Sequence, residues 1–313
     1  MKKVIITTTI DPPSEAYKKF AKMKDWHMII VGDLKTPHKQ YEKFVDDNDN
    51  VIYLSPYFQE QEFAKLSELI GWNCIQRRNF GLVLAYKYGY DIIATVDNDN
   101  IPLENWGKNL MVGKTVNVYY HKIKDKVFNP LSETILGYYP YNKTKLWHRG
   151  FPLELVKNKR DEIMTSKKIK VLVQADLWNG ELDVDAIERL CFETNTTLDG
   201  AFPFASNKIS PFNSQNTFLH RSVLRDYFLF PHIGRMDDIW GGYYLQSKHP
   251  RCVIYGEPSV FQKRNPHSIV RDMKNEMLGY EHTMDFINDL PNIKKWLPKE
   301  SWEAFKEYQR LLK

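Results

Sequence analysis

Apolar and polar positions over the first hundred residues fall into blocks that read alternately as strand and helix. Val4 to Ile10, "HMIIVGD" at His27 to Asp33 and "VIYLS" at Val51 to Ser55 are short, β-favouring runs. Between and after them lie the helix-like "EAYKKFAKM", opened by Ser14 as N-cap, a polar loop, and the helix-like "QEQEFAKLSELI". In "CIQRRNFGLVLAYKYG", Arg77, Phe80, Gly81, Leu84 and Tyr88 recur at three- and four-residue spacing, with Asn73 as cap and Gly89 as stop. That helix feeds Ile92 to Val96, an apolar run of the kind buried on both faces of a sheet. Strands alternating with helices predict a parallel sheet built by right-handed crossovers.

From about 103 to 210 the pattern is less regular and rich in aromatics and lysines. "VNVYYHKI" reads as a strand, and "HRGFPLELV" and "VLVQADLWNGELDVDAIERL" as mixed loop and strand. The last third offers a strand "NTFLH", a helix beginning near Asp237-Asp238 and a strand "CVIYGE". It closes on an amphipathic helix from Ser301, with Trp302, Phe305, Tyr308 and Leu312 on one stripe. No repeat, low-complexity tract or Gly/Ser linker divides the chain. The expectation is one α/β unit over 1–313, with a nucleotide-binding half at 1–102 and an acceptor half at 103–313.

The candidate chemistry sits where strands stop. Ligands of open α/β sheets bind beyond the carboxyl ends of the strands, and Ile92–Val96 runs directly into Asp97-Asn98-Asp99-Asn100. On an extended chain Asp97 and Asp99 would face one side and Asn98 and Asn100 the other. Two hard oxygen ligands suit Mg²⁺ or Mn²⁺; the competing reading is a polar turn. Thr8 and Asp11 end the first strand, and Gly32 with Asp33 ends the second, so the same crevice could collect them. Arg77 and Arg78 offer guanidinium forks suited to pyrophosphate, or else a solvated basic turn. His267 in "NPHS" could complete the coordination of a metal held by Asp97 and Asp99. Asp237 and Asp238, in "GRMDDIWGG", could divide into an orienting group and a general base, although helix capping explains one of them. Asn213, Ser214 and Asn216 carry groups suited to sugar hydroxyls, or form a polar loop.

Composition narrows the classes. With 42% hydrophobic and 14% aromatic residues in 313, the chain is globular and long enough for a substantial core. A net charge of +5 without a dense Lys/Arg run argues against a nucleic-acid partner. Three cysteines, far apart and odd in number, point to a reducing compartment rather than a disulfide framework or a Cys-based zinc site. The start, "MKKVIITTTIDPP", is too short and polar for a signal segment, and no window approaches a membrane span. The expected setting is the cytoplasm; self-association is left open.

The ordered set "VGDLKTP", "RRNFGLVLAYKYGYDIIATVDND", "HRGFPLE", "NGELDVDAIE" and "FNSQNTFLH" resembles the STELLO-type glycosyltransferases. "GRMDDIWGGYYLQ" and "NPHSIVRDMKNE" are similar to the reversibly glycosylated polypeptides, a family that includes UDP-arabinopyranose mutases. Together these likenesses run from about 4 to 290. They imply a GT-A-like nucleotide-sugar fold with a DxD-type motif holding Mn²⁺ or Mg²⁺ against a diphosphate, and Asp97 and Asp99 match that motif. Asn98 stands where the mutase family has a third aspartate, which counts against strict mutase function. "HRGFP" resembles the segment that carries the mutases' reversibly glycosylated arginine, which assigns that role to Arg149. The expected activity is metal-dependent transfer from a nucleoside diphosphate sugar, with UDP as the implied nucleotide, to a glycan or other hydroxyl acceptor. The alternatives are a UDP-sugar pyranose/furanose mutase and a non-catalytic sugar-nucleotide-binding scaffold.

Overall fold

The computed structural model describes residues 1–136, 146–158, 162–266 and 268–313. Strand β1 (Lys3–Thr9) leads to helix α1 (Glu15–Ala21), where the Ser14 hydroxyl accepts from the Tyr17 N–H as its capping role requires. Then follow β2 (His27–Gly32), α2 (His38–Asp46), β3 (Val51–Leu54), α3 (Pro56–Ile70), α4 (Arg78–Lys87) and β4 (Ile92–Val96). Helix α2 replaces the expected polar loop. It buries only Tyr41 and Phe44, too few apolar positions to reveal a period in so charged a segment. Asn73 does not cap α4: a 3₁₀ turn at Ile75–Arg77 intervenes, and Asn73 lies at φ 60° with its N–H donated to Asp33.

The second part comprises β5 (Asn100–Pro102), β6 (Thr115–Ile123), β7 (Thr134–Leu136), β8 (Glu162–Lys170), β9 (Val173–Glu181), α5 (Ala186–Cys191), β10 (Asn195–Thr196), β11 (Leu198–Gly200), β12 (Phe204–Ser206) and β13 (Asn216–His220). Helix α6 (Asp237–Lys248), β14 (Val253–Gln262), α7 (Ile269–Asp289) and α8 (Lys299–Leu311) complete it. One sheet runs β3-β2-β1-β4-β13-β9-β14-β12-β6-β8. The first four strands pair in parallel, and β13 then lies antiparallel to both β4 and β9. The α/β architecture expected from the sequence is therefore present, with the parallel arrangement concentrated in the first hundred residues and a mixed continuation beyond.

Val4, Ile5, Ile6, Ile29, Ile30, Ile93 and Ala94 are fully buried, as continuous apolar strands between helices must be. Helix α4 seats against β1 through Gly81, where any Cβ would come within 2.4 Å of Ile6 Cγ2. At the far end Trp240 stacks on Phe286 with centroids 4.2 Å apart, fixing α7 against α6. The terminal helix begins at Lys299, two residues before the expected Ser301, which is buried inside it. Its Tyr308 hydroxyl donates to the Leu224 carbonyl at 2.8 Å. Among the described residues no helix is long and apolar enough to cross a membrane.

Candidate active site

Strand β4 stops at Val96, and the next residues form a tight turn rather than an extended run: the Asn100 N–H donates back to the Asp97 carbonyl at 3.3 Å, and β5 starts at Asn100. The strand-like alternation expected for Asp97 and Asp99 is thus corrected. Turn formation still brings both carboxyls into one cleft of about 270 Å³, where they meet Arg149, Asp183, Asp237 and Asp238.

Asp97 is anchored. Arg78 Nη2 donates to its Oδ1 at 2.5 Å, and the same guanidinium donates to the Val96 carbonyl and to the carbonyl and hydroxyl of Ser214. Arg78 is fully buried, so the expectation that it grips pyrophosphate is corrected: it acts through Asp97. Arg77 is likewise turned inward, bonded to Gln59, Ser67 and the Gly71 carbonyl and stacked 3.4 Å over Trp72. Both side chains belong to the buried face of the α4 turn, where most of each charged fork is taken up by partners inside the fold.

Asp99 is in the opposite condition. Burial, reinforced by the charge of Asp97, pushes its carboxyl up to about 7 against the weaker help of the Asn265 N–H and Arg264. Among the described residues its Oδ1 is buried with no hydrogen-bond partner, and so is the neighbouring Asn100 Oδ1. Two buried acceptors without a donor are costly unless a ligand supplies one. An oxygen-only donor set of this kind fits a hard divalent cation. His267, the third expected ligand, lies outside the described residues. A separate grouping of His121, Glu133 and Glu162 lines up ligand atoms within 4.8 Å of one another, with the imidazole bonded to Glu162.

Asp237 and Asp238 open α6 as expected, after a 3₁₀ turn at Gly234–Met236. Burial, then the adjacent Asp238, push Asp237 up to about 8, while Gln76 Nε2 donates to its Oδ2 at 2.7 Å. Asp238 is held on both oxygens, by the N–H and hydroxyl of Ser214 on Oδ2 and by Arg149 on Oδ1. A carboxyl protonated up to about pH 8 folded and only to roughly pH 4 unfolded makes the native state lose stability as pH rises through that window. Asp237→Asn keeps an acceptor for Gln76. It is expected to raise the melting temperature at pH 8 by several degrees and to change it little at pH 4; equal shifts at both pH values would contradict this titration.

Arg149 is buried, reaching Asp183 at 3.0 Å, Asp238 at 3.3 Å and the Arg235 carbonyl. Burial alone would lower its pKa, but Asp183 and Asp238 more than offset this and hold the guanidinium charged. Asp183 is the hub that sequence reasoning did not single out. Burial would raise it, yet Arg149, Arg235 and Arg264 hold it well below the usual carboxylate range. Asn213 Nδ2 donates to it at 2.8 Å, so this predicted residue supports the cleft. Arg235 and Arg264 are tied in turn to Asp272. The signal for Asp183 was its place in "LDVDAIE", masked by Asp185, which caps α5 and makes the stretch read as a helix start.

The remaining expected residues divide. Asn98 Nδ2 donates to Asp11 at 2.7 Å, joining the ends of β1 and β4, and neither residue lines the cleft. Thr8 donates to the Val31 carbonyl within the sheet. Gly32 makes room for Tyr53, whose hydroxyl would lie 2.1 Å from any Cβ there. Asp33 is buried and accepts from the N–H groups of Leu34, Asn73 and Cys74, and Asn216 is buried among Trp106, Ser259 and the Asp176 and Leu177 carbonyls. These two, with Gly32, are corrected from ligand-binding to structural roles, because their hydrogen-bonding or packing capacity is taken up inside the fold.

No family model matches the chain. It is 24% identical over 266 residues to the Arabidopsis thaliana protein described as probable glycosyltransferase STELLO1, and 24% identical over 264 residues to the corresponding STELLO2. Each alignment covers 78% of this chain, which bears out the STELLO-type resemblance, and the chain spans 33% of the length of each relative. Among solved structures it is similar to glucosyl-3-phosphoglycerate synthase from Mycobacterium tuberculosis in complex with phosphoglyceric acid. That likeness has a TM-score of 0.48 and 9% identity, over 93% of this chain and 81% of that one.

Proposed function

We propose that the protein is a metal-dependent glycosyltransferase that takes a sugar from a nucleoside diphosphate sugar and gives it to a hydroxyl acceptor. The observation that carries this reading is the Asp99 Oδ1, without a partner among the described residues, beside Arg78-anchored Asp97 in one cleft with Asp237 and Asp238. The similarity to proteins described as probable glycosyltransferases supports it. Asp97 and Asp99 are the residues to hold Mn²⁺ or Mg²⁺, whose contribution when bound is to offset charge on the leaving diphosphate.

The chain's own residues do the rest. Asp237 accepts from Gln76 on Oδ2 and lines the cleft, where it is placed to meet the acceptor hydroxyl. Raised to about 8, it is a stronger base than an ordinary carboxylate once ionised, so it is the proposed general base of the adjacent pair, acting through its ionised fraction, which grows toward pH 8. Asp238, with both oxygens engaged, orients Arg149 and the Ser214 turn. Asp11 and Asn98, paired beyond the ends of β1 and β4, are the proposed groups to meet the nucleoside. UDP is the proposed nucleotide by resemblance, and the cytoplasm is the proposed setting from the three free cysteines.

Against the mutase alternative stands the state of Arg149. A guanidinium locked in its charged form between Asp183 and Asp238 has no lone pair to attack a sugar carbon. A thermal-shift series with UDP, GDP and ADP, each with and without Mn²⁺, tests the donor site. A ligand at about one hundred times its Kd adds roughly 2.7 kcal/mol of apparent stability. The expected result is a rise of several degrees that needs both a nucleotide and the metal; no rise with any pair would remove the proposal.

A further inference from the structure

A cavity of about 500 Å³ lies between the segment joining β5 to β6 and the first halves of β9 and β14, and it shares no lining residue with the cleft. Its floor carries the buried carboxyl of Asp176. Gly256 in β14 lets that carboxyl stand there, since a Cβ at this position would fall 2.0 Å from Asp176 Oδ1. Gln174 Nε2 donates to Oδ1 and the Ser259 hydroxyl to Oδ2, each at 2.8 Å. A carboxylate offers about four acceptor positions, so both oxygens keep capacity for further donors. Among the described residues no Lys or Arg pairs with Asp176. Burial, with a smaller push from Glu257, raises it to about 7.

The wall is apolar. Phe202 and Met111 line it, and Phe202 is fixed by stacking on Phe204 with centroids 5.6 Å apart. With two acids and two lysines in the lining, the cavity has no dominant sign of charge to favour an ion. Asp176 and Glu257 are offset by Lys108 and Lys114. What fits a hydrogen-bond-accepting floor beside a fixed aromatic wall is a neutral molecule with hydroxyl donors and an apolar face. A pyranose ring has both, and the volume lies in the range of small-ligand pockets. We infer that this cavity is a carbohydrate-binding subsite for a neutral sugar residue, separate from the transfer cleft. The inference stands on the cavity alone and does not need the transfer reading.

Saturation-transfer NMR on the full chain with the methyl glycosides of glucose, galactose, mannose and xylose, each at about 10 mM, is the test; millimolar binding corresponds to only about 4 kcal/mol. At least one glycoside should receive saturation in the parent protein and equally in Asp99→Ala, whose change lies in the cleft. Two variants should weaken that signal about tenfold: Phe202→Ala, which removes the wall, and Asn109→Trp, which fills the mouth from an exposed position and leaves the buried floor untouched. Unchanged melting temperature in Asn109→Trp separates loss of binding from loss of fold. Four results would overturn the inference. They are no signal from any glycoside, a signal that survives both variants, a signal lost in Asp99→Ala, or preferential binding of methylammonium.

Discussion

Asp99→Ala is expected to lower donor turnover by about 10²- to 10³-fold, the scale of losing one preorganised electrostatic contact to a developing charge. The same change should not destabilise the fold. Asp99 is a half-buried carboxyl pushed up to about 7, with one oxygen lacking a partner among the described residues, so at pH 8 its removal relieves an unfavourable charge beside Asp97. Activity and melting temperature should therefore move in opposite directions, a combination that a merely structural aspartate cannot produce. Nucleoside diphosphate release, followed with the variant and with chelator-treated parent protein, measures the first quantity, and calorimetric titration with Mn²⁺ reports whether metal binding is lost alongside it. Turnover near the parent level in both the variant and the chelated protein would sink the assignment of Asp97 and Asp99 to a metal.

Asp183→Ala should have the largest effect on stability, a loss of roughly 3–5 kcal/mol, as when one member of a buried charge pair is removed. Arg149 would lose a contact at 3.0 Å, Arg235 one at 3.4 Å, and Asn213 its acceptor, while all three stay beneath the cleft. The pH dependence follows from the direction of the shift. Asp183 is held well below the usual carboxylate range when folded, so its contribution is present above about pH 4, where the unfolded carboxylate titrates, and fades as pH falls further. Urea melts of parent and variant at pH 7 should differ by the full amount, and the gap should narrow below about pH 4. A loss under about 1 kcal/mol at pH 7 would mean that the arginines find other partners.

The first hundred residues were readable because their strands are buried on both faces and carry little but apolar side chains. Ile92–Val96 is found with the bounds its hydrophobic run suggested, and Ser14 caps as its position implied. What sequence could not supply was the direction in which polar side chains turn. Asp33, Arg77, Arg78 and Asn216 look like ligand-binding groups in one dimension, yet each is buried and bonded by partners brought in from elsewhere in the chain: Arg78 by Ser214, 136 positions away, and Asn216 by Trp106, 110 away. Asp183 failed in the opposite sense. Its three arginines come from separate segments, so no local spacing announces it. Helix α2 was missed for want of apolar residues, and the turn after β4 because alternation in a strand and convergence in a turn serve the same two aspartates.

The pairing of β4 with β13 has a consequence for how the molecule is made. Thr95 meets Thr217, 122 positions further along, so a nascent chain that has delivered β1 to β4 still displays one flank of unpaired peptide groups. Arg78 must wait equally long for Ser214. Contacts this remote in sequence close slowly and leave a sticky intermediate during translation. The cleft, lined from Ile75 to Pro266, therefore takes shape only once segments well beyond β13 have been made.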